Sequence, residues 1–473
     1  MTAPVLPRRH DAVRIIGEGR HQVDEAPLAH LMQIASEDGL LAAPPVILPD
    51  FHHKKKQEMP SSVAVATVNH LVPHFTASSV NCGMALLSTG LHRDDLSPQL
   101  LDAFVDHVKA RAPYPMPRKA VLTRQEVFRA AREGASFALE RYGLDPSELA
   151  AVEHRGRLDL EEGTDEGVLR RFAPRLSAEA SRFRFGGVGP GNHFIEVQVC
   201  SEILDPVAAA AMGVHEGMVV VEYHGGGGVW AGEMGRLFVP RKKSSLPRRL
   251  RTGVMKAALH ATTSPSALRE RWDLYFHNVR HAVDADSAEG KRLWMSYCTA
   301  MNYGFAYRIA SYQVIRESLA AAWGAPVDTR LVYDSPHNAV YKETVNGAPA
   351  FVHRHNAARA VGPGILADHP LGQPVLVPGT NRTSSYLCIG AAGSGVSLDS
   401  ACHGAGTLVD ASASAGTAGP DPQRVTRRYG YGTSAVKEVA HIGDGGINLA
   451  VDILRDEGVV RPVARFTPVA GLT

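Results

Sequence analysis

Apolar positions along this chain follow two periods, and the switches between them outline its elements. Residues 26–37 put Leu28, Leu31, Met32 and Ala35 on one face of a helix. Val46, Ile47 and Leu48 predict a short strand that ends at Pro49 and Asp50, and residues 64–72 predict a buried strand followed by a turn over 78–84. Residues 97–175 read as helices: Ser97 caps 99–110, Thr123 caps one helix over 126–142, and a shorter one covers 148–152. After a glycine-rich loop at 185–191, residues 194–199 alternate as a strand should. A Val-rich second strand, 218–223, runs to His224 and four glycines, 225–228. Helical spacing dominates 246–323 and is strongest over 288–323, where Trp294, Tyr297, Met301 and Phe305 share a side. Short strands return at 329–333, 348–352 and 375–377, and residues 435–451 carry mixed helical signals broken by Gly443, Gly445 and Gly446. With no repeat, low-complexity segment or evident linker, the pattern predicts one large α+β domain with helical insertions at about 97–175 and 244–325.

Composition narrows the class. Lys+Arg 50 against Asp+Glu 48 leaves a formal charge of +2, so there is no global basic field and any nucleic-acid site must be a local patch. The charged stretch 51–56 reads first as solvated surface and second as a contact for a phosphate backbone. Five cysteines (Cys82, Cys200, Cys298, Cys388, Cys402), none in a C-x-x-C pair, argue against a disulfide framework and for a reducing, cytoplasmic setting. The first residues lack a signal-peptide pattern, and no run of 18 apolar residues predicts a membrane span.

The candidate chemistry centres on Ser400-Ala401-Cys402-His403-Gly404-Ala405-Gly406. The glycines let backbone N–H groups approach a phosphate, and an imidazole beside bound phosphates can act as a nucleophile and form a phosphoramidate. The plain alternative is a buried histidine in a tight turn. Three further histidines end or interrupt strand-like segments beside Asn or Gly: His193, His224 and His337. Cys82 sits in a comparable turn. Thiolate and imidazole suit Zn²⁺, Mn²⁺, Fe²⁺ or Co²⁺. These positions are scattered from 82 to 337, so no spacing rule unites them, and each taken singly also reads as structural.

Taken together, the segments resemble the RtcB-type RNA ligases. The matching stretches are PDFH (49–52), NCGM (81–84), GPGNHFIEVQ (189–198), the glycine loop after His224, MNYGFAYR (301–308), YDSPHN (333–338), VHRHNAAR (352–359), VPGTNRTSSYL (377–387) and SACHGAG (400–406). They run in the family's order over about residues 45–410. The resemblance implies a single RtcB-like domain over 1–473, with mixed and antiparallel sheets around a central metal and nucleotide cleft. It implies GTP- and Mn²⁺-dependent joining of RNA 3′-phosphate or 2′,3′-cyclic phosphate ends to 5′-hydroxyl ends through a guanylylated histidine, in RNA repair or tRNA splicing. His403 matches the nucleophile, and Cys82, His193, His224 and His337 match the metal ligands. Asn192, Glu196, Asn338, Gly379, Thr380, Asn381, Ser385 and the Gly404, Ala405 and Gly406 backbone match nucleotide contacts. RNA is the implied partner, an activating protein factor is a further one, and no membrane partner is implied.

Departures from the family pattern are equally specific. Ser79 stands where the family has a metal-binding aspartate, and a neutral hydroxyl is a poorer ligand than carboxylate. Of one or two Mn²⁺ sites, the one built on Cys82, His224 and His337 is therefore better preserved. Gly228 replaces an arginine, His355 a lysine and Thr407 an arginine, and a near-terminal lysine has no counterpart in 468–473. Losing a preorganised charge costs on the order of 10²–10³ in rate. This motivates two alternatives, a nucleotidyltransferase of altered nucleotide or acceptor specificity and a non-catalytic metal- or nucleotide-binding paralogue. Arg382, His355 or the lysine run at 54–56 are candidates to replace the lost charges.

Overall fold

A computed structural model of the chain describes residues 12–473 except 35, 37–38, 54–58, 76–78, 115–118, 173–174, 190, 239–244, 261–264, 278–281 and 417–418. Its class is α+β, with two principal sheets flanked by helices. The larger sheet has the spatial order Pro374–Val377, Ser385–Gly390, Val460–Leu472, Phe194–Ile203, Met218–Gly225, Gly83–His92 and Thr329–Pro336, all antiparallel. The ribbon Asp421–Tyr429 and Lys437–His441 joins it by parallel pairing with Val460–Leu472. A five-stranded sheet runs Arg14–Ile15, Val46–His52, Ser61–Thr67, Ala348–His355 and Asn338–Val345.

One residue, His337, separates Thr329–Pro336 in the first sheet from Asn338–Val345 in the second. The chain changes sheets there, and His337 stacks on His403, which lines the cleft described below. A short pair, Ala357–Arg359 with Ser400–Cys402, brings in the segment that carries His403.

The helix Ala288–Trp323 holds the larger sheet from behind. Ser287 caps it through Gly290 N. It packs against Pro98–Arg111, Arg124–Glu133, Ala135–Tyr142 and Gly228–Phe238. From Met295 to Tyr312 every residue is buried, so the shared side expected from spacing is in fact burial all round, as befits a helix within a core.

Several sequence expectations need correction. The strand from Val46 does not stop at Pro49 but continues to His52. A register shift between Ile47 and His52 and a positive φ of 67° at Asp50 absorb the proline. The single helix expected over 126–142 is two, Arg124–Glu133 and Ala135–Tyr142, hinged at Gly134. A Cβ at Gly134 would lie 2.0 Å from Gly156 O, and its φ is +64°. Residues 435–451 form a strand, Lys437–His441, and then a helix, Gly445–Asp456, so the glycines mark its start rather than interrupt it. The strand Gly83–His92 and the helix Gly228–Phe238 were not anticipated. The lysine run at 54–56 lies outside the described residues.

Candidate metal and nucleotide site

The loop before Gly83–His92 is set by a buried ion pair. Arg308 and Asp334 are both 0% exposed in their side chains, and Arg308 Nε donates to both Asp334 oxygens at 2.9 Å. The same guanidinium donates through Nη1 to Asn81 O at 2.6 Å and Asn81 Oδ1 at 2.5 Å. Asn81 takes a left-handed φ of 54° and also donates from its side chain to Met301 O. Gly83 fits because a Cβ there would meet Ser335 O at 2.5 Å and Arg308 Cζ at 2.8 Å. A guanidinium charge thus reaches from the central helix to the backbone just before Cys82 and fixes its direction.

Backbone bonds join the remaining pieces. His337 N donates to Cys82 O at 2.8 Å, Ala357 N to His337 O at 3.0 Å, and His403 N to Asn356 O at 3.1 Å. Arg354 is buried and binds Glu343, Ser400 Oγ and Leu398 O, which orders the approach to His403.

The structure brings the scattered candidates together. Cys82 Sγ lies 3.3 Å from His193 Nε2 and 3.2 Å from His224 Nε2. Cys82, His224 and His337, all buried, present ligand atoms within 4.8 Å of one another, whereas His193 approaches Cys82 from outside that trio. The His403 ring stacks on His337 with centroids 3.5 Å apart and planes 8° apart, and lies 5.1 Å from the His224 ring.

This donor set fits a small dication. Metal–ligand bonds of about 2.0–2.3 Å in a tetrahedron put sulfur and nitrogen about 3.6 Å apart, close to the Cys82–His224 spacing. His224 Nδ1 faces Asn192 O at 3.0 Å, which assigns the proton to Nδ1 and turns the Nε2 lone pair toward Cys82. Burial drives the His224 pKa well below its usual value and holds His193 at about 4, with Arg184 adding to the latter. Both rings are therefore neutral and able to ligate.

A cleft of about 490 Å³ opens beside this cluster. It is lined by His193, His224 and His403 together with Asn192, Glu196, Gly379, Thr380, Asn381, Ser385, Gly404, Ala405 and Gly406. Asn338 is absent from that lining. It is 2% exposed and acts as a brace, with Nδ2 donating to Ser79 Oγ at 3.1 Å and Oδ1 accepting from Asn356 N at 2.9 Å.

Under the floor, Gln198 Nε2 donates to Glu196 at 2.8 Å and Glu222 at 2.7 Å. Burial raises both carboxyls, Glu196 to about 8 and Glu222 to about 7.

The altered positions have structural explanations. Gly228 begins a helix with φ +73°, and a Cβ there would meet Tyr307 Cδ2 at 2.7 Å and Tyr303 Cε1 at 2.8 Å, so no arginine fits without displacing a tyrosine. Thr407 binds Asp50 through N at 2.7 Å and Oγ1 at 2.6 Å. Of the proposed replacement charges, Arg382 Nε donates to Ala440 O and buried His355 faces Pro60 O. Neither lines the cleft.

Asp50, His52, Asn356, Arg428 and Thr473 also line it; none was assigned to the site from sequence, and His52 was read only within the charged stretch 51–56. PDFH flagged the first two. Nothing flagged Arg428, an exposed residue on a strand that had not been foreseen.

Residues 30–471 match the family model described as tRNA-splicing ligase RtcB. This chain belongs to the RtcB family. It is 29% identical to the tRNA-splicing ligase RtcB of Pyrococcus furiosus over 85% of this chain and 41% of that protein. The corresponding figures for Methanopyrus kandleri are 29%, 85% and 42%. The chain thus spans less than half the length of these archaeal RtcB proteins. The RNA-splicing ligase RtcB of Mycobacterium tuberculosis is nearer in size: 30% identity covers 82% of this chain and 87% of that protein. Among the described residues, no helix is long and apolar enough to cross a membrane.

Proposed function

We propose that this chain, working as one unit over residues 1–473, is an RtcB-type RNA ligase. It joins RNA 3′-phosphate or 2′,3′-cyclic phosphate ends, the latter after hydrolysis, to 5′-hydroxyl ends, with GTP as nucleotide donor and Mn²⁺ as metal. The observation that carries the reading is the His403 ring, which lines the cleft and stacks 3.5 Å from His337. A nucleophile there faces both the metal trio and the space for a nucleotide.

Cys82, His224 and His337 would hold the metal, with His193 beside them, and the bound ion would neutralise phosphate charge. A ring nitrogen of His403 attacks the α-phosphorus of GTP. The P–N bond forms as the α–β anhydride bond breaks, and pyrophosphate leaves. His403 then hands GMP to the RNA 3′-phosphate and is released. The 5′-hydroxyl of the second end displaces GMP and closes the phosphodiester. Asn192, Glu196, the 379–381 turn, Ser385 and the Gly404–Gly406 backbone hold the nucleotide through this sequence, while Asn338 braces the wall behind it.

Intact-mass spectrometry of the purified chain with GTP and Mn²⁺ tests the proposal. The expected result is a covalent GMP adduct that His403→Ala abolishes, together with ligation of 3′-phosphate RNA. Failure to form the adduct with any divalent metal tried would overturn it.

A further inference from the structure

The cleft contains a cation that the family motifs do not account for. Three strands lie side by side at its floor, and Glu196 on Phe194–Ile203, Gly471 on Val460–Leu472 and Arg428 on Asp421–Tyr429 are directly in register. Strand spacing of about 4.8 Å puts the outer two Cα atoms about 10 Å apart, and residues in one row face the same side. The Glu196 carboxylate confirms the facing, since Oε2 lies 3.4 Å from the position a Gly471 Cβ would take. With no side chain at Gly471, the row is an acid and a guanidinium flanking a bare notch.

Alternation along Asp421–Tyr429 fixes the rest. Arg427 and Tyr429 turn to the opposite face and bind Asp102 at 2.9 Å and 2.6 Å. Arg428 turns into the cleft and is its sole lining arginine or lysine among the described residues. Its side chain is exposed and makes no hydrogen bond or ion pair with them.

Resting on the nucleotide-binding reading above, in which Glu196 already holds the nucleotide, we propose that Arg428 is this chain's specificity-determining residue for the base. Guanine offers N1–H and N2–H donors beside the O6 and N7 acceptors. An arginine fork donates to the adjacent O6 and N7 acceptors. Adenine would put its N6 donor against the guanidinium and present no hydrogen at N1. A good bidentate pair discriminates by about 1–3 kcal/mol, or roughly 5–150-fold. The charge comes from a strand remote in sequence from the motifs.

Equilibrium binding of nucleoside monophosphates, which cannot be transferred to His403, separates base reading from catalysis. GMP, 7-deaza-GMP and AMP would be titrated into the full chain with Mn²⁺, and into Arg428→Ala and Arg428→Lys. The wild type is expected to prefer GMP. Arg428→Ala should weaken GMP roughly 5–150-fold and leave AMP nearly unchanged, with Arg428→Lys intermediate. Replacing N7 should weaken binding to the wild type but not to Arg428→Ala. Equal weakening of GMP and AMP would make Arg428 a phosphate contact and overturn the inference, as would an unchanged Arg428→Ala or a wild type indifferent to the base. A wild type that binds none of the three overturns the nucleotide-binding reading itself.

Discussion

At the metal end of the cleft, Cys82, His224 and His337 are 5%, 2% and 2% exposed; His337 N bonds Cys82 O, His224 Nδ1 faces Asn192 O, and Arg308 holds the backbone just before Cys82. At the nucleotide end, Asn192 and Arg428 are open to solvent, and Thr380 and Asn381 sit in a turn. The first end is preformed, so a cation binding there orders little that is not already ordered. The second can change its side chains without disturbing the core. The departures from the family pattern follow this division. Those in packed surroundings, such as Gly228, are closed by their neighbours, whereas the open wall is where a new charge has room.

The sharpest way to break this comparison is Arg308→Met. It strands the Asp334 carboxylate, 0% exposed, without its guanidinium. Removing one partner of a buried pair costs about 3–5 kcal/mol, read as a fall in the unfolding free energy from urea titration. Arg428→Ala at the open end should shift the same measurement by no more than about 0.5 kcal/mol. Similar losses for the two variants would mean that the ends do not differ in the way their burial suggests.

Gly228→Ala comes next. It places a Cβ within 2.7 Å of Tyr307 on a backbone at φ +73°, and overpacking of this kind costs about 1–3 kcal/mol. Gly228→Arg adds a charge but should not speed ligation, because the tyrosines hold the space. A folded Gly228→Arg protein with a faster guanylylation rate would show that wall to be looser than its contacts imply.

An effect that depends on pH is expected at the floor. Burial, with Glu222 adding to it, raises Glu196 from 4.5 to about 8. Between those values the folded chain retains a proton that the unfolded chain releases. The contribution to stability is full below about pH 4.5, falls as pH rises and is fully lost above about 8. Glu196→Gln has no such proton to lose. It should be more stable than the wild type at pH 8.5 and match it near pH 4.5, as read from denaturant midpoints in metal-free protein. A gain independent of pH would place the cause elsewhere.

How far the sequence was legible follows the same division. The 36-residue helix Ala288–Trp323 and the strand Phe194–Ile203 show themselves through local periodicity and capping. Resemblance to the family singled out Cys82, His193, His224, His337 and His403, which no spacing rule could have joined. Their meeting depends on long-range ties such as His337 N to Cys82 O. Asn338 was expected to contact the nucleotide, and what the sequence could not show is its bonding to Ser79 and Asn356, which makes it a brace. Arg428 was invisible because its significance is a register across three strands, and two of them meet through parallel pairing of segments more than forty residues apart.

A small change in stability, and the most specific test of the metal end, is expected of Ser79→Asp. Ser79 and Cys82 share a turn closed by Cys82 N donating to Ser79 O at 3.0 Å, and Asn338 Nδ2 already donates to Ser79 Oγ at 3.1 Å. A carboxylate there can keep the Asn338 bond through one oxygen and offer the other beside the Cys82 thiolate, where a hard dication prefers it to a hydroxyl. Ser79 is only half-buried, so the unfolding free energy should move by less than about 1 kcal/mol. Metal stoichiometry should move more: Mn²⁺ titration is expected to rise from one equivalent in the wild type toward two in the variant. If the wild type already binds two, the hydroxyl or His193 is completing the second site unaided. If the variant still binds one, the Asn338 brace holds the new carboxylate away from the thiolate, and the preformed end is more rigid than a single substitution can redirect.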